Sequence, residues 1–149
     1  MSQLTTYRAK GHAIGLVFLF KYDLNGHLRG FKIEEGELNQ EQKRWMFSGS
    51  NFPVSETMMQ QVWMKDPRYK KLFDVQVNKA DVSFESFWSI WGLKIKKEKS
   101  EAAWNKLTEA EKIQCFLSHA KYEAHLKKTG QAKAHLVTWI NQKRWTDEY

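Results

Sequence analysis

Along residues 14–20 every second position is apolar: Ile14, Leu16, Phe18 and Phe20. A period of two is the mark of a β-strand, and these four share one face. Val17 and Leu19 make the other face apolar as well, which predicts a strand covered on both sides. Asn25-Gly26 follows and then "HLRGFKIEEG", so residues 13–35 are expected to form a β-hairpin. A two-residue turn at Asn25-Gly26 would set Leu24 opposite His27, Tyr22 opposite Arg29, Phe20 opposite Phe31 and Phe18 opposite Ile33. The Phe20–Phe31 pair would contribute roughly 0.2–1 kcal/mol.

The period then changes. "LNQEQKRWMF" reads as a short helix capped by Asn39, with Gln42 completing a capping box. A second short helix in "PVSETMMQQVWMKDP" would turn Val54, Met58 and Val62 to one side, and Asp66-Pro67 stops it. In "KKLFDVQV" Phe73, Val75 and Val77 alternate, giving a third strand over 72–77 at the hairpin's edge. Residues 1–80 therefore read as a small α+β unit.

From Asp81 the spacing is helical. Phe84, Phe87, Trp88 and Trp91 fall at i, i+3, i+4 and i+7, and Gly92 ends the run. Ala103, Trp104 and Leu107 mark a second helix. Thr108 and Glu111 form a capping box opening a third, with the stripe Ile113, Phe116, Leu117, Ala120 and Ala124. After Gly130 a fourth carries Ala132, Leu136, Trp139 and Ile140 inward. The expected fold class is α+β: an N-terminal hairpin with a third strand and short helices, then a four-helix unit over 81–149, the two halves being separate or sharing one core. Trp139 is expected to close that core, while Arg144-Trp145 either pack back or meet a partner.

Composition narrows the function. A chain of 149 residues needs no staples, and its one cysteine, Cys115, excludes an internal disulfide and a thiolate zinc cluster. Mid-helix, Cys115 reads as a small packing residue, compatible with a reducing cytoplasm. "AIGLVFLF" has strand length, so neither a signal peptide nor a membrane span is expected. His119 and His125 stand about 240° apart around a helix, too far to share a metal. Glu34, Glu35 and Glu37 read as solvated charges. No P-loop or serine elbow occurs, and no catalytic residue, metal or cofactor is assigned.

The net charge is +7. Residues 121–144 carry Lys121, Lys127, Lys128, Lys133, Lys143 and Arg144 against Glu123 alone, a field that favours polyanions or an acidic protein surface. Basic and aromatic residues interleave in "WGLKIKKEK" and "KAHLVTWINQKRW". Lysines take phosphates and exposed aromatic rings take unpaired bases. Lys94, Lys96, Lys97, Lys99, Lys133, Lys143 and Arg144 are thus the candidate contacts, with Trp145 a candidate stacking platform.

The order Phe84, Phe87-Trp88, Trp91, a lysine run, "AWNKL", Tyr122, Gly130, His135 and "TWINQKRWTDE" resembles the C-terminal region of phage and prophage replication proteins of the replisome-organiser or helicase-loader type. The resemblance spans residues 84–148. Trp91-Gly92 stands where that family has Tyr-Pro, and Ile140 replaces a leucine. The winged-helix domain that precedes the family's module has no counterpart, so origin recognition does not carry over. The resemblance implies a non-enzymatic replication accessory of the bacterial cytoplasm, contacting a helicase or single-stranded DNA or RNA. An inhibitor of host defence, binding a CRISPR effector nuclease or its guide RNA, is the other class compatible with a small basic chain.

Overall fold

The computed structural model describes residues 3–149 and is an α+β fold. It divides into two compact units, one ending at Ala80 and the other beginning at Asp81, each with its own core.

The first unit holds a four-stranded antiparallel sheet of order β3-β2-β1-β4: β1 (Thr5–Gly11), β2 (Val17–Tyr22), β3 (Leu28–Glu35) and β4 (Phe73–Asn78). Phe20 faces Phe31 and Phe18 faces Ile33. The turn differs from expectation. Only Gly26 has positive φ (81°), and Asp23 N–H bonds His27 O at 2.9 Å. Leu24, Asn25 and Gly26 thus form a three-residue loop, and a bulge puts Tyr22 opposite Leu28 rather than Arg29. The Asp23 carboxylate fixes this loop by accepting from Asn25 N (2.9 Å), His27 N (3.0 Å) and Arg29 Nε (2.8 Å). Burial works against its ionisation, but these donors outweigh burial and hold it below the ordinary carboxylate range.

β1 pairs with β2 on one side and β4 on the other. β4 therefore does not join the hairpin directly, as the sequence had suggested; β1 stands between them. Ile14 lies outside the strand and is 45% exposed. The back of β2 is covered only in part: Val17 is buried, Leu19 half-buried and Lys21 exposed. Arg8 and Glu34, from the strands flanking β2, pair at 3.5 Å across it.

The other face of the sheet is closed by helices. α1 (Gln40–Phe47) has the expected capping box, with Asn39 and Gln42 exchanging 2.8 Å bonds. α2 (Glu56–Met58), capped by Ser55, runs on as a π-helical turn, Met59–Trp63. This turn brings Met59 and Trp63 into the core, with the expected Val62 packed against it, while Val54 is 65% exposed. α3 (Pro67–Lys70) is capped by Asp66. Trp63 stacks on Phe73 at 4.7 Å and donates its indole N–H to Asn51 O at 2.8 Å.

The second unit consists of α4 (Phe84–Trp91), α5 (Lys97–Asn105), α6 (Glu109–Thr129), α7 (Leu136–Asn141) and a 3-10 turn, Arg144–Thr146. Its core takes Phe84, Phe87, Trp88 and Trp91 from α4, the expected stripe. Thr108 and Glu111 form the expected capping box. Of the expected inner line of α6, Phe116 packs against the core, but the line as a whole is a different one. Cys115, Ser118 and Tyr122 are buried, whereas Ala120 and Ala124 are exposed. Opposite so many indoles there is room for small residues, and these are Cys115 and Ser118. α7 starts at Leu136, leaving Ala132 exposed ahead of it.

Candidate functional site

The candidate residues of the helical unit separate into those that solvent reaches and those that the fold has taken up. Trp145 belongs to the second group. The 3-10 turn lays its ring 6.2 Å from Trp139 and leaves the residue 7% exposed, so it presents no face to a base. Tyr149 holds the turn, donating its hydroxyl to Arg144 O at 2.9 Å. Arg144 lies 5.5 Å from the Tyr122 ring centre and 3.7 Å from Asp147.

Lys133 is also drawn inward. It precedes α7, and its ammonium lies 4.4 Å from the centre of the Trp91 ring. It donates to the carbonyl of Trp91 and to the Glu123 carboxylate. Trp91 ends α4, and a helix's last carbonyls have no partner within the helix, so Lys133 caps them. Lys94 does the same one turn earlier, donating to Trp88 O at 2.9 Å while remaining exposed.

Lys96, Lys97 and Lys99 stay in water. Lys96 is the N-cap of α5, in the left-handed region (φ 56°) and with no side-chain cap; Lys97 and Lys99 occupy its first turn beside a single acid, Glu98. The Lys97 ammonium is 3.8 Å from Glu85, an exposed pair worth little. Together with Lys94 they concentrate four cations in six residues at the positive end of a helix dipole. Lys143, also left-handed at φ 52°, is exposed on another segment.

The remaining chemical candidates are engaged in packing. Cys115 is fully buried, and burial pushes its thiol up to about 12. His119 lies against the Phe87 and Trp91 rings, with Nε2 3.3 Å from Glu123. Burial lowers its pKa, against the pull of Glu123. His125 lies against Tyr149 at 5.0 Å. No group of three metal-ligating side chains occurs among the described residues. None of their helices is long and apolar enough to cross a membrane.

In the first unit a cavity of about 230 Å³ opens between Ile14, Leu38, Trp45 and Leu72, with Glu41 at its edge. The sequence placed Ile14 on a face of the strand, whereas it precedes β2 and lines this cavity.

Residues 79–143 match the family model described as Legionella vir region protein LvrA C-terminal domain. This segment takes in most of the helical unit and under half of the chain. No curated protein and no solved structure matches the chain.

Proposed function

We propose that the chain is a phage- or prophage-encoded binding protein, non-enzymatic and cytoplasmic, that acts on nucleic-acid machinery as a replication accessory. Its substrate surface is the lysine cluster Lys94, Lys96, Lys97 and Lys99, which contacts phosphates of single-stranded DNA or RNA. The observation that carries this reading is the exposure of these four cations around one helix start, with Glu98 the one acid among residues 94–99. The match to the LvrA C-terminal domain model over residues 79–143 supports reading the helical unit as a module in its own right. A replicative helicase is the protein partner that the resemblance over residues 84–148 suggests.

Anisotropy of labelled oligo-dT and oligo-rU against the full chain tests the reading. Each neutralised phosphate of a single strand contributes a slope of about −0.7 in log K against log salt. Replacing Lys96, Lys97 and Lys99 by alanine should reduce that slope by about 2. A response to salt that is flat, or unchanged by the triple substitution, excludes the mechanism.

A further inference from the structure

α6 has apolar residues on two sides. Its buried line is Cys115, Ser118 and Tyr122, with Phe116 and Leu126 packed against the same core. Ile113, Leu117, Ala120 and Ala124 recur at steps of four, three and four, and at the helical period their stripe is centred about 180° from the buried line. None of the four belongs to the core of the helical unit. Ile113 and Leu117 are half-buried, and Ala120 and Ala124 are exposed. A helix partnered on one side only keeps its other side polar, so a second apolar stripe calls for a second partner.

The flanks of the stripe say which. Lys121 and Lys128 lie along one side and Lys127 along the other, all exposed. The nearest acid in sequence, Glu123, is held by Lys133 and His119. The exposed part of the stripe, Ala120 and Ala124, thus continues the half-buried Ile113 and Leu117 between cationic borders. Two alanines on its centre line permit close approach of another helix, at the short end of the usual 8–10 Å axis separation. A nucleic acid would use the lysines but gain little from the stripe, and a second copy of the chain would bring the same three lysines.

We propose that the outward face of α6 docks an acidic amphipathic helix of a partner protein. The partner's leucine-type side chains lie along Leu117, Ala120 and Ala124, and its glutamates meet Lys121, Lys127 and Lys128. This site uses residues separate from the α5 cluster, so each can fail without the other.

The test uses three labelled peptides of about 20 residues, long enough to hold helix. One has a leucine stripe flanked by glutamates, one the same stripe flanked by lysines, and the third scrambles the first. Anisotropy is read against the full chain and two variants, Ala120→Glu/Ala124→Glu and Lys121→Glu/Lys127→Glu/Lys128→Glu. All five substitutions place a good helix former on exposed positions, and circular dichroism verifies the fold. The glutamate peptide should bind the native chain at least about tenfold more tightly than its scramble, a difference of about 1.4 kcal/mol. The alanine variant should lose that margin, and the lysine variant should switch its preference to the lysine peptide. Equal binding of the scramble would reduce the face to a charge effect and overturn the proposal. So would oligo-dT binding that the lysine variant abolishes while no peptide binds. A dimer in sedimentation that Ala120→Glu/Ala124→Glu dissociates would assign the face to a second copy instead.

Discussion

Lys133→Met separates the two roles that a lysine beside an aromatic ring can have. The sequence offers Lys133 as a phosphate contact; the fold uses it to finish α4. Methionine keeps the stem and removes the ammonium. The bond to the Trp91 carbonyl is charge-assisted and partly buried, worth about 1.5–3 kcal/mol. The cation–π contact with the same residue adds about 0.5–1 kcal/mol at its 4.4 Å separation. Glu123, whose side chain is 34% exposed, returns largely to water and adds little.

The expected loss is therefore about 2–4 kcal/mol, confined to the helical unit. For a unit of this size each kcal/mol moves the melting midpoint by about 4–8 °C, so a fall of about 8–32 °C is predicted. Tryptophan fluorescence reports it, because Trp88, Trp91, Trp104, Trp139 and Trp145 all lie in this unit and only Trp45 and Trp63 in the other. Lys99→Met, on the exposed part of α5, should change stability by less than about 0.5 kcal/mol. The reasoning fails if Lys133→Met leaves the midpoint unmoved and instead cuts the salt slope of oligonucleotide binding by about 0.7.

Two histidines should titrate in opposite senses, which proton NMR can follow. His12 has Nε2 3.1 Å from Asp74 and Nδ1 2.6 Å from Lys71 O, and the Asp74 bond foremost raises its pKa above 6.5. Its contribution to stability is complete below the unfolded value of about 6.5 and is lost as pH rises through the raised one. His119 is lowered, so the unfolded chain takes its proton first and stability falls as pH drops from about 6.5 through the lowered value. The reverse order of titration would contradict both environments. Gly36→Ala and Gly130→Ala should differ although both glycines have positive φ, 86° and 72°. At Gly36 a Cβ would come 2.3 Å from the Gly15 carbonyl oxygen, while at Gly130 it meets nothing within 4 Å. Chemical denaturation should give about 1–2 kcal/mol for Gly130→Ala and a clearly larger loss for Gly36→Ala; equal losses would refute the backbone clash.

What could be read from the sequence was whatever a local rule determines. The two capping boxes, at Asn39 and Thr108, need only the right residues three apart. The α4 stripe and the Phe20–Phe31 pair rest on large side chains at unambiguous spacing. β1 was not legible: "TTYRAKG" offers only Tyr7 and Ala9 to the core, and its strand character comes from pairing on both sides. The face of α6 was misread because Ile113, Leu117, Ala120 and Ala124 form an unbroken apolar line whereas Ser118 and Tyr122 are polar, and the choice between the two faces is made by the shapes packed against them. The candidate lysines show the same limit. Charge alone does not distinguish Lys133, which caps a buried helix end, from Lys99, which stays in water.

The start of α5 differs from those of three other helices. α1, α4 and α6 start with Asn39, Ser83 and Thr108 as side-chain caps. α5 starts with Lys96, whose left-handed backbone costs about 1–2 kcal/mol for a residue other than glycine. Lys97 and Lys99 then set cations against the helix dipole, each at about 0.3–1 kcal/mol. Asparagine or glycine at the cap and glutamate after it would remove most of this cost without touching the buried Ala103 and Trp104. If the chain binds a polyanion there, as proposed, each phosphate would meet a lysine and relieve the repulsion that the helix dipole imposes. The same comparison carries a consequence for engineering. Lys97→Glu/Lys99→Glu should make the helical unit more stable, by about 1–2 kcal/mol, while weakening oligonucleotide binding. A variant that gained stability and kept its affinity would place the polyanion contact elsewhere in the chain.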